Sequence, residues 1–184
     1  MAPARPRPEG RAAVPPAAPP ARPEPLALRA VDALSAACGV IAALMILASV
    51  FITCQLIFMR FVLNASTIWQ TEAVTYLMIA ATLLGLPYVQ KLRGHVSVDL
   101  LPTLLPPGGR RALALVALAL TAAIVALMLY WSWELFHFAA DRGWRSDSVW
   151  GVKLWIPYLA LPAGFGLYLL QLAADLWRAG RGGA

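Results

Sequence analysis

The chain has 184 residues, of which 60% are hydrophobic and 13% are charged, whereas ordinary soluble domains are about 45–50% apolar and about 25% charged. This composition, with a mean hydropathy of +0.69, excludes an ordinary soluble domain and indicates an integral membrane protein. The net charge of +6 does not indicate nucleic-acid binding, because the arginines lie beside apolar runs and in a proline-rich tail instead of on one folded face.

The chain begins with a polar, proline-rich segment. Residues 1–25 contain nine prolines and four arginines, which is typical of an extended, disordered tail. A signal peptide is not indicated, because the apolar run that follows is far longer than a signal-peptide core of about 7–15 residues. We predict a disordered tail over 1–25, a membrane domain over 26–178 and a flexible tail over 179–184.

Four long uncharged runs follow the first tail. Each is close to the length of about 20 residues that crosses the hydrocarbon of a bilayer. Backbone polar groups in lipid must be hydrogen-bonded within their own segment, so each run is predicted to be a helix. The predicted spans cover residues 33–59, 73–90, 112–133 and 154–174. The predicted fold class is therefore an all-α membrane protein with four transmembrane helices.

Several polar residues near the first loop are expected to have partners. Gln55 lies in the outer half of the first span, where an amide is expected to hydrogen-bond to a neighbouring helix. Arg60 and Glu72 flank the loop after this span, so they either form an ion pair or remain separate charges among the lipid headgroups. Trp69 is expected to anchor the loop at the membrane interface.

The second span contains two residues that alter helix packing. Gly85 permits close approach of another helix, and Pro87 leaves a backbone carbonyl without its helical donor. Both indicate that at least one face of this span contacts protein instead of lipid.

The distribution of basic residues predicts the orientation in the membrane. Four spans place both termini on one side, and that side carries eleven lysines and arginines, against four on the other. Because basic residues are enriched in cytoplasmic segments, both termini and the 91–111 loop are predicted to be cytoplasmic.

The 91–111 loop contains a polar stretch followed by leucines. Gly94 follows a basic residue, as is common where a helix ends, and Ser97 or Asp99 is suited to cap a new helix. The leucines at 100, 101, 104 and 105 share one helical face. We predict a short amphipathic helix at the cytoplasmic interface, with His95 as a hydrogen-bonded loop residue.

The sequence offers no catalytic, cofactor or metal site. The two histidines, His95 and His137, are predicted to lie on opposite sides of the membrane, which excludes a bis-histidine haem or a zinc site built on histidines. Cys38 and Cys54 lie in one helix about 24 Å apart, beyond disulfide reach. The span centres lack charge, unlike those of a self-sufficient transporter. A structural or coupling subunit remains, beside two alternatives: a redox or quinone-linked membrane enzyme subunit, and a self-associating four-span structural protein or pore.

A set of residues in fixed order and spacing points to a family. The residues are Arg60, Trp69, Glu72, Tyr76, Gly85, Lys91, Gly94, His95, Asp99, Pro157, Pro162 and Gly164. Together with the four spans, they resemble the small membrane subunit (DctQ type) of tripartite ATP-independent periplasmic (TRAP) transporters over about residues 32–177. The chain departs from the family pattern at Thr71 and Thr75, where the family often has an acidic and a basic residue.

The resemblance implies a non-catalytic small permease subunit in the bacterial inner membrane. Its implied partners are a large multi-span permease, which it scaffolds, a periplasmic solute-binding protein, which it helps to dock, and membrane lipids; nucleic acid and cofactors are not implied. The complex would take up an organic acid-type solute with a sodium gradient. The 60–72 and 134–153 loops would face the binding protein, and the 91–105 segment would lie on the cytoplasmic side.

Overall fold

The structure is a computed structural model that describes residues 25–92 and 107–181. The helices in these residues are α1 (Leu26–Phe61), α2 (Ile68–Lys91), α3 (Pro107–Asp141), α4 (Trp155–Tyr158) and α5 (Ala160–Gly180). Four helical segments are long and apolar enough to cross a membrane, namely α1, α2, residues 112–141 of α3, and α4 with α5 together. The predicted all-α fold with four apolar helices is confirmed for the described residues.

Some of the predicted features lie outside the described residues. These are the tail over 1–24, the end of the chain over 182–184, and the 93–106 segment that includes Gly94, His95, Asp99 and the predicted amphipathic helix.

The helices extend beyond the predicted spans. The first begins at Leu26 instead of 33, the third continues to Asp141 instead of 133, and the last reaches Gly180, inside the predicted tail. The difference arises because an uncharged run measures only the part of a helix that suits hydrocarbon. Beyond each uncharged run, the helix continues through charged residues with the same backbone geometry. Part of the predicted 134–153 loop is therefore helical.

A glycine-based motif ends α3. The N–H of Gly143 donates to the carbonyl of Ala140, and the N–H of Trp144 donates to the carbonyl of Ala139. Gly143 has a φ of +60°, and this left-handed residue with its two hydrogen bonds forms a Schellman motif. The Trp144 ring packs edge-on against Phe138 at a centroid distance of 5.0 Å, which adds the apolar contact that often accompanies the motif.

Two prolines shape the last span. Pro157 lies in the first turn of α4, where a missing N–H is tolerated. Pro162 cannot donate to the carbonyl of Tyr158, and Leu159 separates α4 from α5 while it keeps helical φ and ψ of −58° and −29°. The last span is therefore two nearly continuous helices.

The helices form an open row instead of a closed bundle. Helix α1 packs along α2, α2 packs against α5, and α5 packs against α3, while α1 meets α5 over a smaller area. A buried apolar cluster joins α3 to α5 through Val125, Tyr168 and Leu172. Most apolar side chains of the outer helices, α1 and α3, are exposed.

Two glycines permit the closest helix contacts. A Cβ at Gly164 would lie 2.6 Å from the Cβ and 2.9 Å from the backbone carbonyl of Leu83. The carbonyl of Leu83 has no helical donor, because the residue four positions later is the buried Pro87, which lacks an N–H. On the other side of α2, a Cβ at Gly39 would lie 2.5 Å from the ring of Tyr88. Glycine thus fixes the spacing between α1, α2 and α5.

Candidate functional site

One end of the molecule, here called the loop end, consists of residues 62–67, the first turns of α2 and residues 142–154. Residues 144–154 fold as a small hairpin. The N–H of Ser146 donates to the carbonyl of Val152 at 2.8 Å, and the N–H of Leu154 donates to the carbonyl of Trp144 at 2.9 Å. Gly151, with a φ of +61°, provides the left-handed residue that lets the hairpin reverse.

The hairpin is fastened to α2 by two contacts. The Ser146 hydroxyl donates to Glu72 Oε1 at 2.7 Å, and the rings of Trp69 and Trp150 lie 6.2 Å apart between centroids. Both tryptophans remain about 40% exposed. Trp69 therefore holds the hairpin against α2, and part of its ring remains exposed.

Two buried acceptors at the loop end lack a hydrogen-bond partner among the described residues. They are Glu72 Oε2 and Gln70 Oε1, and Gln70 is 1% exposed. No described ion pair joins Glu72 to Arg60, which lies exposed in the last turn of α1. Of the two arrangements that the sequence left open for these charges, the structure has the unpaired one. A buried acceptor without a donor is costly, so these two atoms lower the stability of the loop end.

The opposite end, here called the terminal end, consists of the start of α1, the end of α2 and the end of α5. Arg178 Nη2 lies 2.7 Å from Asp32 Oδ2, and Arg178 Nη1 lies 3.3 Å from Asp175 Oδ1. All three side chains are about four-fifths buried. One guanidinium therefore links α1 to α5 through two carboxylates.

Two glutamines complete the carboxylate contacts. Gln171 is fully buried; its Oε1 accepts from the Ser35 hydroxyl at 2.7 Å, and its Nε2 lies 3.4 Å from oxygens of both Asp32 and Asp175. Gln90 Nε2 donates to Asp175 Oδ2 at 3.0 Å. Each carboxylate therefore accepts hydrogen bonds from an amide as well as from the guanidinium.

Lys91 adds a further link between α1 and α2. Its Nζ donates to the backbone carbonyl of Asp32 at 3.0 Å. The polar cluster therefore comprises Asp32, Ser35, Gln90, Lys91, Gln171, Asp175 and Arg178. It joins α1, α2 and α5, and it places the start of α1 and the end of α5 on the same side, as an even number of spans requires.

Of the seven residues in this cluster, only Lys91 was expected from the sequence, as a motif residue, and the other six were not. Two signals were present. Gln171 is an amide inside an apolar run, and Asp32 and Asp175 end the uncharged stretches of the first and last spans. The partner expected for Gln55 is absent among the described residues, where this side chain is exposed on α1 and forms no hydrogen bond.

The other motif residues are spread along the molecule. Tyr76 is half-buried in α2, and Gly85 lies beside Ala42 of α1, where a Cβ would make an ordinary contact at 3.7 Å. Pro157 is half-buried and Pro162 is buried in the last span. In residues 25–92 and 107–181, no group of three or more His, Cys, Asp or Glu side chains is arranged to hold a metal ion. The geometry is that of a membrane protein with specific polar contacts at both ends and apolar outer faces.

Comparison with known proteins gives a consistent result. The family model described as "Tripartite ATP-independent periplasmic transporters, DctQ component" matches residues 49–182. The chain is similar to the C4-dicarboxylate TRAP transporter small permease protein DctQ of Vibrio cholerae, with 27% identity over 143 residues that cover 66% of this chain and 62% of that protein. It is also similar to the ectoine TRAP transporter small permease protein TeaB of Halomonas elongata, with 30% identity over 106 residues that cover 58% and 54% of the two chains. The matches thus span less than two thirds of either relative.

Proposed function

The chain belongs to the DctQ family of TRAP transporter components, and we propose that it scaffolds a large permease and helps to dock a periplasmic solute-binding protein. The match over residues 49–182 carries the proposal. In this role the chain is a non-catalytic subunit, and transport itself takes place in the large permease.

The open row of helices supports the scaffold role. Helices α1 and α3 lie at the two edges of the row, and each leaves most of its apolar surface uncovered. Phe51, Gln55 and Phe58 are exposed on α1 at a spacing that places them on one helical face. We call these three residues the α1 stripe. A helix of the large permease packed on this stripe would bury both rings and supply a hydrogen-bond partner for the amide.

The loop end supports the docking role. The hairpin over 144–154 is held on α2 by Glu72 and Trp69, and it exposes charges of both signs at Arg145, Asp147 and Lys153. A preformed surface loses little conformational freedom on binding.

The orientation and the solute follow from the same proposal. We propose a multi-pass inner-membrane protein with both termini and the 91–111 loop in the cytoplasm, an interfacial helix in that loop, and the loop end in the periplasm. Uptake is driven by a sodium gradient. The two relatives carry the names of a C4-dicarboxylate and of ectoine transporters, and the solute proposed for this complex is of the organic acid type.

Co-purification tests the association directly. The full chain, carrying an affinity tag, is expressed with the large permease and with the binding protein from the same genome, and then purified in mild detergent. The proposal expects the large permease to be retained in fixed stoichiometry. A large permease that is recovered intact but never bound by the tagged chain contradicts it.

A further inference from the structure

A groove at the terminal end runs between the first turns of α1 and the last turns of α5. Its volume is about 300 Å³, and the residues that line it are Pro25, Ala27, Leu28, Val31, Leu170, Ala173, Ala174 and Trp177. We call it the terminal groove. Its lining is apolar throughout, so it suits a hydrocarbon chain and offers a polar ligand no hydrogen bond along its length.

A cation lies at the outer mouth of the terminal groove. The Arg181 guanidinium carbon is 4.5 Å from the centre of the Trp177 ring, and Trp177 is 52% exposed. The nearby carboxylates of Asp32 and Asp175 both pair with Arg178. No described ion pair involves Arg181, so its charge is available to an anion at the groove mouth.

The groove runs in the direction of a lipid acyl chain. From Trp177 to Leu170 the helix extends about 10 Å along its axis, at about 1.5 Å per residue. Tryptophan and arginine favour the headgroup level of a membrane, so the opposite end of the groove lies toward the membrane interior. The groove is therefore basic where a lipid headgroup lies and apolar where its chains lie.

We propose that the terminal groove binds an anionic phospholipid, with one acyl chain along Leu28, Val31 and Ala173 and the phosphate at Arg181. The exposed Arg29, in the first turns of α1, adds a second positive charge at the same end. The arrangement of charge and apolar surface matches one lipid molecule, headgroup and chain together. This inference goes beyond the scaffold role, since it requires neither the large permease nor the binding protein.

Native mass spectrometry tests the proposal on the full-length, delipidated chain in detergent. The chain is titrated with dioleoyl phosphatidylglycerol and, separately, with dioleoyl phosphatidylcholine, which has the same acyl chains. We expect tighter binding of phosphatidylglycerol, and we expect no competition from free glycerol phosphate, because the acyl chain supplies most of the contact.

Two variants separate the headgroup from the chain. We expect Arg181→Gln to weaken phosphatidylglycerol binding about fivefold, the effect typical of one arginine at an anionic membrane surface, and to leave phosphatidylcholine binding unchanged. Ala173→Phe places a ring in the groove and is expected to weaken binding of both lipids. Arg181 lies after the last residue of α5, so its variant is expected to fold even if Ala173→Phe does not.

Matched controls lie on the opposite end and on another helix. Arg142 stacks on Phe138 at 4.4 Å, which reproduces the Arg181 contact at the loop end, so Arg142→Gln controls for the loss of a stacked arginine. Ala119 is exposed on α3, and Ala119→Phe controls for an added ring. Both controls are expected to bind phosphatidylglycerol as the unchanged chain does.

Three results would overturn the terminal-groove proposal. The first is equal affinity for the two lipids in the unchanged chain. The second is unchanged phosphatidylglycerol binding in Arg181→Gln, and the third is a loss of binding that Arg142→Gln reproduces. Association with the large permease in the co-purification experiment is a separate measurement, so failure of lipid binding and failure of the scaffold role are distinguishable.

Discussion

Asp32 and Arg178 lie 146 residues apart in the chain, and their side chains form an ion pair of 2.7 Å. This pair joins the start of α1 to the end of α5, two helices that otherwise share only a small contact. The amides of Gln90 and Gln171 surround the same carboxylates. The terminal end is therefore held by polar contacts, whereas helix contacts elsewhere are made by small and apolar residues.

Arg178→Met is expected to destabilise the protein by about 2 kcal/mol, because it leaves two mostly buried carboxylates without their cation. Asp32→Asn should cost less, since Arg178 keeps its contact with Asp175. Thermal unfolding in detergent measures both effects. Unfolding is monitored by the reaction of a thiol reagent with Cys38, which is buried in the folded protein. Equal stability of Arg178→Met and the unchanged chain would show that the cluster does not hold the helices together.

Gly164 and Gly166 offer a matched pair of substitutions on α5. Gly164→Ala places a Cβ 2.6 Å from Leu83 and is expected to destabilise by roughly 1–3 kcal/mol through overpacking. At Gly166 the nearest atom to an added Cβ is 3.9 Å away, so Gly166→Ala should be neutral or slightly stabilising through helix propensity. The same unfolding assay compares them, and a larger loss at Gly166 would refute the close packing of α2 on α5.

Ser146→Ala removes the hydroxyl that donates to Glu72. The hairpin over 144–154 should then open more often, with its amides exchanging about fivefold faster for the loss of about 1 kcal/mol. Hydrogen exchange with mass spectrometry measures the exchange rates of the amides in this hairpin. Ser66→Ala, which alters an exposed serine of the neighbouring loop, is the control. Unchanged exchange in Ser146→Ala would mean that the tryptophan contact alone positions the hairpin.

Gln55→Leu tests whether the α1 stripe contacts the large permease. If the amide hydrogen-bonds to the large permease, this variant should weaken association by about 1 kcal/mol, within the range measured for polar contacts between membrane helices. Thr82→Leu is the control, because the Thr82 hydroxyl is exposed and already donates to the carbonyl of Met78. Retention of the large permease during co-purification is the measurement. Equal retention by both variants would place the interface on another face.

The helical fold was predictable because its signal is local. Uncharged runs over 33–59, 73–90, 112–133 and 154–174 mark the four apolar helices, although they underestimate helix length at charged ends such as Asp141. The sequence predicts a membrane-interface position for Trp69, whereas its ring contact with Trp150 was not predicted. A ring contact between distant segments depends on the hairpin geometry, which the sequence does not display.

The polar cluster was not predicted because it depends on how the helices are arranged. Asp32, Gln90 and Gln171 lie in three different helices, and nothing in their spacing along the chain indicates that they meet. The same holds for Gly39 and Gly164, whose close contacts lie across helix pairs. Gly85, which the sequence indicated as a close-approach residue, has room for a Cβ at 3.7 Å from Ala42.

We propose that this chain is a working subunit of a sodium-driven uptake system. The most direct measurement is solute uptake into proteoliposomes that contain the large permease, with the binding protein and solute outside and an inward sodium gradient. Uptake is expected when this chain is present, and little or none when it is left out, with the same amount of large permease in the membrane. Full uptake without this chain would show that the large permease and the binding protein do not require it.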